Sequence, residues 1–109
     1  MKRGEIWTAA GGPDYSGKPR PVVIVQDDSF AETASVTICG FTTDPAEVAL
    51  VRPLIEPTRA NGLMEPSRLM ADKVMTVPRA KLGRAVGRLG AADTARLNRA
   101  MLVFLGLAG

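Results

Sequence analysis

The chain of 109 residues has no histidine, one cysteine, one tryptophan, one tyrosine and three phenylalanines. Without histidine it lacks the commonest general acid–base group and the commonest metal ligand. With a single cysteine it also lacks the donor set of a zinc or transition-metal centre, and no internal disulfide can form. No metal and no cofactor are therefore expected. Ser-His-Asp and Cys-His chemistry is excluded, so any catalysis falls to Arg, Lys, Asp, Glu, Ser, Thr or Tyr. No apolar run approaches the ~20 residues that a membrane-spanning helix needs. The first residues, Met1 to Glu5, lead into a strand-like segment and not into the apolar region of a signal peptide. No membrane association and a cytoplasmic location are expected. Cys39 lies in an apolar run and reads as a small buried hydrophobe.

What is present is ordinary globular material, 46% apolar and 23% charged, enough for one domain over residues 1–109 with a real core. Charge is unevenly placed. Residues 1–67 hold six basic and nine acidic side chains, whereas residues 68–99 hold eight basic ones against Asp72 and Asp93. A basic half on a chain of net charge +3 points to an anionic partner, nucleic acid first, with a solvated basic hairpin and helix as the alternative.

The chain is organised around Lys18-Pro19-Arg20-Pro21-Val22-Val23-Ile24-Val25-Gln26. Its β-branched run reads as a strand buried on both faces. Pro19 and Pro21 bracket Arg20 and push Lys18 and Arg20 towards extended geometry. A guanidinium on so stiff a backbone, beside a Gly/Pro-rich loop, can hold a phosphate; it can equally cap the strand and pair with a surface carboxylate. Glu5 to Ala9 alternates as a first strand, with Ile6 or Trp7 inward. The loop from Ala10 to Pro19 carries Tyr15, a candidate for stacking on a base. Ser35 to Phe41 reads as a third strand delivering Thr42 and Thr43 to a turn, and Val51 to Glu56 as a fourth with Pro53 marking an edge or bulge. Ser67 to Lys73 reads as a fifth, with Arg68, Met70 and Asp72 on one face by period two. Strands at Val74–Val77 and around Gly83–Arg88 follow. Gly90 opens a helix over Ala91 to about Leu105, with Leu97, Met101, Phe104 and Leu105 on one stripe. The apolar end of that helix suggests a dimer contact. Short strands, glycine-rich turns and one closing helix describe a small antiparallel barrel, mainly β with a C-terminal α-helix.

Arg3–Trp7 (RGEIW), Gly17–Asp28 (GKPRPVVIVQDD), Cys39–Asp44 (CGFTTD), Leu69–Leu82 (LMADKVMTVPRAKL) and Val86–Leu89 (VGRL), followed by the helix, stand in the order seen in a known family. The chain resembles the MazF/PemK (Kid) toxin endoribonucleases of type II toxin–antitoxin modules. The resemblance implies an SH3-like barrel of the CcdB/MazF type, a homodimer, and metal-independent cleavage of single-stranded RNA, whether messenger, ribosomal or transfer RNA. It also implies a cognate antitoxin whose acidic, disordered tail blocks the site. In such toxins an arginine at the strand entry and a threonine at the end of the third strand form the catalytic pair. These positions match Arg20 and Thr42. A carboxylate matched by Asp72 acts in catalysis or substrate binding in some members. Met70 stands where some members carry arginine, and Arg68, further back on the same expected face, is a candidate substitute.

This chemistry suits a chain without histidine, because RNA carries its own nucleophile in the 2′-hydroxyl. Arg20 can stabilise the charged phosphorane, Thr42 can hydrogen-bond the phosphate or the 2′-hydroxyl, and Asp72 can orient or deprotonate the nucleophile. Tyr15, Lys18, Phe41, Thr43, Arg68, Lys73, Arg79 and Lys81 are candidates for holding RNA. From the residues alone, Thr42 and Thr43 also read as turn formers and Asp72 as a structural partner of Lys73 or Arg68. The rival functions are a CcdB-like gyrase poison and a non-catalytic RNA-binding barrel.

Overall fold

The first strand, β1 (Glu5–Ala9), pairs antiparallel on one side with β2 (Arg20–Ile24) and on the other with β7 (Leu82–Arg88). The computed structural model of the chain describes residues 1–10, 18–44 and 49–108. Tyr15 lies outside these residues. Next to β2 runs β3 (Ser35–Thr42), and the sheet continues through β5 (Ser67–Leu69) to β4 (Leu54–Ile55). The remaining strand, β6 (Met75–Pro78), also pairs with β3. The eight-residue β3 therefore divides its free edge: Ser35–Ile38 bond to β6, and Phe41 and Thr42 bond to β5. Sharing one strand between two partners bends the sheet, which curls into a half-barrel of antiparallel strands closed by α1 (Ala91–Phe104).

The β-branched run of β2 is buried on both faces, as its composition requires. Val23 and Val25 pack with Ile6, Cys39, Leu69, and Leu97 and Ala100 of α1. Val22 and Ile24 face the other way, against Val36, Ile38, Trp7 and Leu82. Of the two inward candidates on β1, Ile6 is fully buried and Trp7 only partly. Cys39 has no exposed surface, and burial pushes its thiol pKa up to about 12.

Three elements differ from the sequence reading. The expected strand at Val51–Glu56 shrinks to Leu54–Ile55, because Ala49–Val51 forms a 3-10 turn and Pro53 offers no N–H to a ladder. The expected strand from Ser67 stops at Leu69, and Ala71–Lys73 turns as a 3-10 helix. The period of two thus ends before Asp72, and the common face of Arg68, Met70 and Asp72 does not exist. The stripe on α1 buries Leu97 and Ala100, while Phe104 and Leu105 remain half exposed or more. The helix outruns the core it covers.

Candidate active site

Arg20 begins β2 and Thr42 ends β3. Their strands pair Val22 with Gly40 and Ile24 with Ile38. Arg20 and Thr42 each stand two residues beyond the Val22–Gly40 pair, at the same end of the two strands. Both line one cavity of about 860 Å³, together with Thr8, Pro21, Phe41, Thr43 and Asp44. The volume lies in the range that holds a small ligand or a few groups of a polymer. The Thr42 hydroxyl oxygen accepts the Asp44 backbone N–H at 3.2 Å, which leaves its own proton to be donated. Arg20, Lys73 and Arg84 bring positive charge to the cavity against Asp44 and Glu65, a balance that favours an anion.

The segment 62–65 with Ser67 also lines the cavity. Its shape is set by Asn61, which is buried although polar. The Asn61 Oδ1 accepts the N–H groups of Thr58 at 2.9 Å and Leu63 at 3.0 Å, and its Nδ2 donates to the Glu56 carbonyl at 2.9 Å. Gly62 follows with φ +69°, and a Cβ there would stand 2.5 Å from the Val86 carbonyl oxygen. Only glycine permits both that backbone turn and the approach to β7. On β7 the alternate residues Arg84 and Val86 reach the cavity. Gly83 lets the strand lie against Thr8, whose hydroxyl accepts the Arg84 N–H at 3.1 Å.

Several expected residues meet in this cavity: Arg20, Thr42, Phe41, Thr43 and Lys73. Asp72 does not line it. Both oxygens of the Asp72 carboxylate are taken by Arg52, with Nε and Nη2 each at 2.9 Å. The hydrogen bonds from Arg52 hold this carboxyl below the usual carboxylate range, in spite of its partial burial. The partner is neither Lys73 nor Arg68. Arg68, paired with Thr42 between β5 and β3, donates instead to the Arg52 backbone carbonyl at 2.8 Å and does not line the cavity. Met70 does line it, with its terminal methyl near Gly40. Arg79 is committed to the carbonyls of Ala31 and Thr33 and tethers the loop before β3. Lys81 is exposed outside the cavity, where its carbonyl accepts the Ala10 N–H at 2.8 Å. Lys18 is exposed close to Arg20 in the chain without lining the cavity. The sequence reading missed Thr8, Met64, Glu65 and Arg84. The alternation of Arg84 with Val86 on a strand was the available signal for one of them. Nothing local marked the other three.

A family model described as "PemK-like, MazF-like toxin of type II toxin-antitoxin system" matches residues 2–105. The chain is 57% identical over 109 residues to "Probable endoribonuclease MazF" of Mycolicibacterium smegmatis, and the match covers the whole of both. It is 29% identical over 116 residues to "Endoribonuclease MazF9" of Mycobacterium tuberculosis, covering 98% of each. Among solved structures it is similar to "Mycobacterium tuberculosis toxin MazF-mt6", with a TM-score of 0.80 at 27% identity over 96% of this chain and 99% of that one. A structure titled "Endoribonuclease in complex with its cognate antitoxin from Mycobacterial species" shares the fold, with a TM-score of 0.81 at 23% identity over 100% and 98% of the two chains.

Proposed function

We propose that this chain, which belongs to the PemK-like, MazF-like toxins of type II toxin–antitoxin systems, is an endoribonuclease that cuts single-stranded RNA without a metal and so halts translation and growth. The observation that carries the reading is the meeting of Arg20 and Thr42 at the ends of adjacent strands in one cationic cavity. The 2′-oxygen of the substrate attacks the neighbouring phosphorus, and the bond from phosphorus to the 5′-oxygen breaks. The 2′ proton is lost to an acceptor, and the leaving 5′-oxygen gains one. The products are a 2′,3′-cyclic phosphate and a 5′-hydroxyl. Arg20 neutralises the phosphate and the growing phosphorane charge. Thr42 donates its hydroxyl proton to a phosphate oxygen. Among the described residues, the carboxylates that line the cavity are Asp44 and Glu65. Asp72 acts as a positioning residue: through Arg52 it holds the turn that brings Met70 and Lys73 to the cavity.

The partners follow from charge and apolar surface. An acidic, disordered antitoxin tail would compete with RNA for the cations of the cavity, and its binding would weaken with salt. A second copy of the chain would cover Leu102, Phe104, Leu105 and Leu107, all exposed at the end of α1 and beyond it. No helix among the described residues is long and apolar enough to cross a membrane, and we place the protein in the cytoplasm. The reading is tested by incubating the purified protein with a long unstructured RNA in EDTA, beside Arg20→Ala. Cuts that carry cyclic-phosphate and 5′-hydroxyl ends and are lost in the variant support it. RNA bound but uncut by the wild type would leave a binding module in its place.

A further inference from the structure

Glu65 is an anion in a cavity that must receive a polyanion. Lys73 and Arg84 line the same cavity, yet among the described residues the Glu65 carboxylate has neither an ion pair nor a hydrogen bond. Its backbone is nonetheless fixed. The buried Ser67 hydroxyl donates to the Glu65 carbonyl at 3.0 Å, and Pro66 restricts Glu65 to extended geometry. The segment leading to it is anchored by Asn61 and pressed against β7 at Gly62. Beside it Met64, 94% exposed, also borders the cavity. A carboxylate here weakens phosphate binding unless the ligand supplies donors of its own, and the bases of RNA do so.

We propose that Met64 and Glu65 form a base-reading subsite that takes an unstacked guanine, an assignment that rests on the nuclease reading above. An ionised carboxylate is acceptor-only, with two oxygens side by side. Guanine presents N1–H and an N2 amino proton as adjacent donors, which match those oxygens one to one. Uracil offers a single N–H between two carbonyl oxygens, which the carboxylate repels. Adenine and cytosine each offer one amino donor beside a ring nitrogen lone pair. The thioether and methyl of Met64 pack against the face of the base, a contact that soft, flexible methionine makes readily. Arg20 and Thr42, which line the same cavity, then hold a phosphate, so the guanine occupies a fixed position relative to the cut.

The test maps cut sites in a pool of unstructured RNA for the wild type and Glu65→Gln, and repeats the best substrate with inosine, which lacks the N2 amino group, at the implicated guanine. The wild type is expected to require guanine at one fixed position and to cut the inosine substrate more slowly. In Glu65→Gln the preference for guanine at that position should fall by roughly 5- to 150-fold, and inosine should no longer matter. A wild type without a guanine requirement would overturn the assignment. So would a Glu65→Gln protein that cuts every sequence more slowly with the guanine preference intact, the behaviour of a proton-transfer group. If the wild type cuts nothing, binding of guanine and inosine oligonucleotides decides separately. A difference that disappears in Glu65→Gln keeps the subsite while the nuclease reading falls, and no difference removes both.

Discussion

Arg52 holds Asp72 through two parallel hydrogen bonds, Nε to Oδ1 and Nη2 to Oδ2, each 2.9 Å long. The pair joins the segment before β4 to the 3-10 turn at Ala71–Lys73, and Arg68 reinforces it from the other side through the Arg52 carbonyl. A carboxylate bound in this way is a weak base, because its proton affinity is already lowered by Arg52. Its geometry suits support of the site better than proton transfer.

Asp72→Asn is expected to lose stability and some cutting, while the pH dependence of the remaining activity stays that of the wild type. The loss of one charge-assisted partner in a mostly buried pair should cost about 1–3 kcal/mol, read as a shift in the denaturation midpoint at neutral pH. The folded chain holds the Asp72 proton less tightly than the unfolded chain. The pair's contribution is therefore complete above the unfolded pKa, near the ordinary value of 3.8, and disappears as pH falls through the lower folded value. The stability gap between wild type and variant should close on acidification over that window. Loss of the acidic limb of the pH–rate profile in Asp72→Asn would instead make this carboxylate the base.

Arg20→Ala should cut RNA about 100- to 1,000-fold more slowly, the usual effect of removing a group that stabilises developing charge. Arg20 is exposed at the start of its strand, so the circular dichroism spectrum should be unchanged. Thr42→Ala should cost about 10- to 100-fold through one hydrogen bond to a charged group, and Thr42→Ser should restore most of that. Wild-type rates in Thr42→Ala would remove the threonine from the reaction.

Asn61→Ala should destabilise the fold by about 1–3 kcal/mol, since it removes a buried side chain that bonds the N–H groups of Thr58 and Leu63 and the Glu56 carbonyl, all partly buried hydrogen bonds. The denaturant midpoint measures this. Loosening of the wall at 62–65 should also broaden the range of sequences cut.

Cys39 should resist alkylation in the folded protein at about pH 8, because reaction needs both access and thiolate. It has neither, being fully buried with its thiol pKa raised to about 12. Mass spectrometry should find it modified only at the rate at which the chain unfolds, and fully modified in denaturant. Rapid labelling of the native protein would show that the sheet opens locally around β3.

The positions of Arg20 and Thr42 were legible because each sits at a strand end marked by local chemistry, prolines around one and a turn after the other. The placement of Asp72 was not legible, because the strand expected to carry it ends at Leu69, and local pattern does not reveal that Arg52, twenty residues earlier in the chain, binds its carboxylate. Arg79 read as a free cation for the same reason: its acceptors, the carbonyls of Ala31 and Thr33, lie more than forty residues away.

The sequence by itself determined the class of chemistry and the skeleton of the fold. A chain without histidine must use other groups, a β-branched run must be buried on both faces, and an apolar stripe after Gly90 must form a helix. These follow from residue type and short-range period. Only the tertiary structure decided which charges serve the site. Ion pairing and cavity lining depend on contacts between segments far apart in the chain, and the same carboxylate or guanidinium is a support or a reader of substrate according to what folds against it. Asp72 pairs with Arg52 and does not line the cavity. Glu65 has no ion-pair or hydrogen-bond partner among the described residues and lines the cavity.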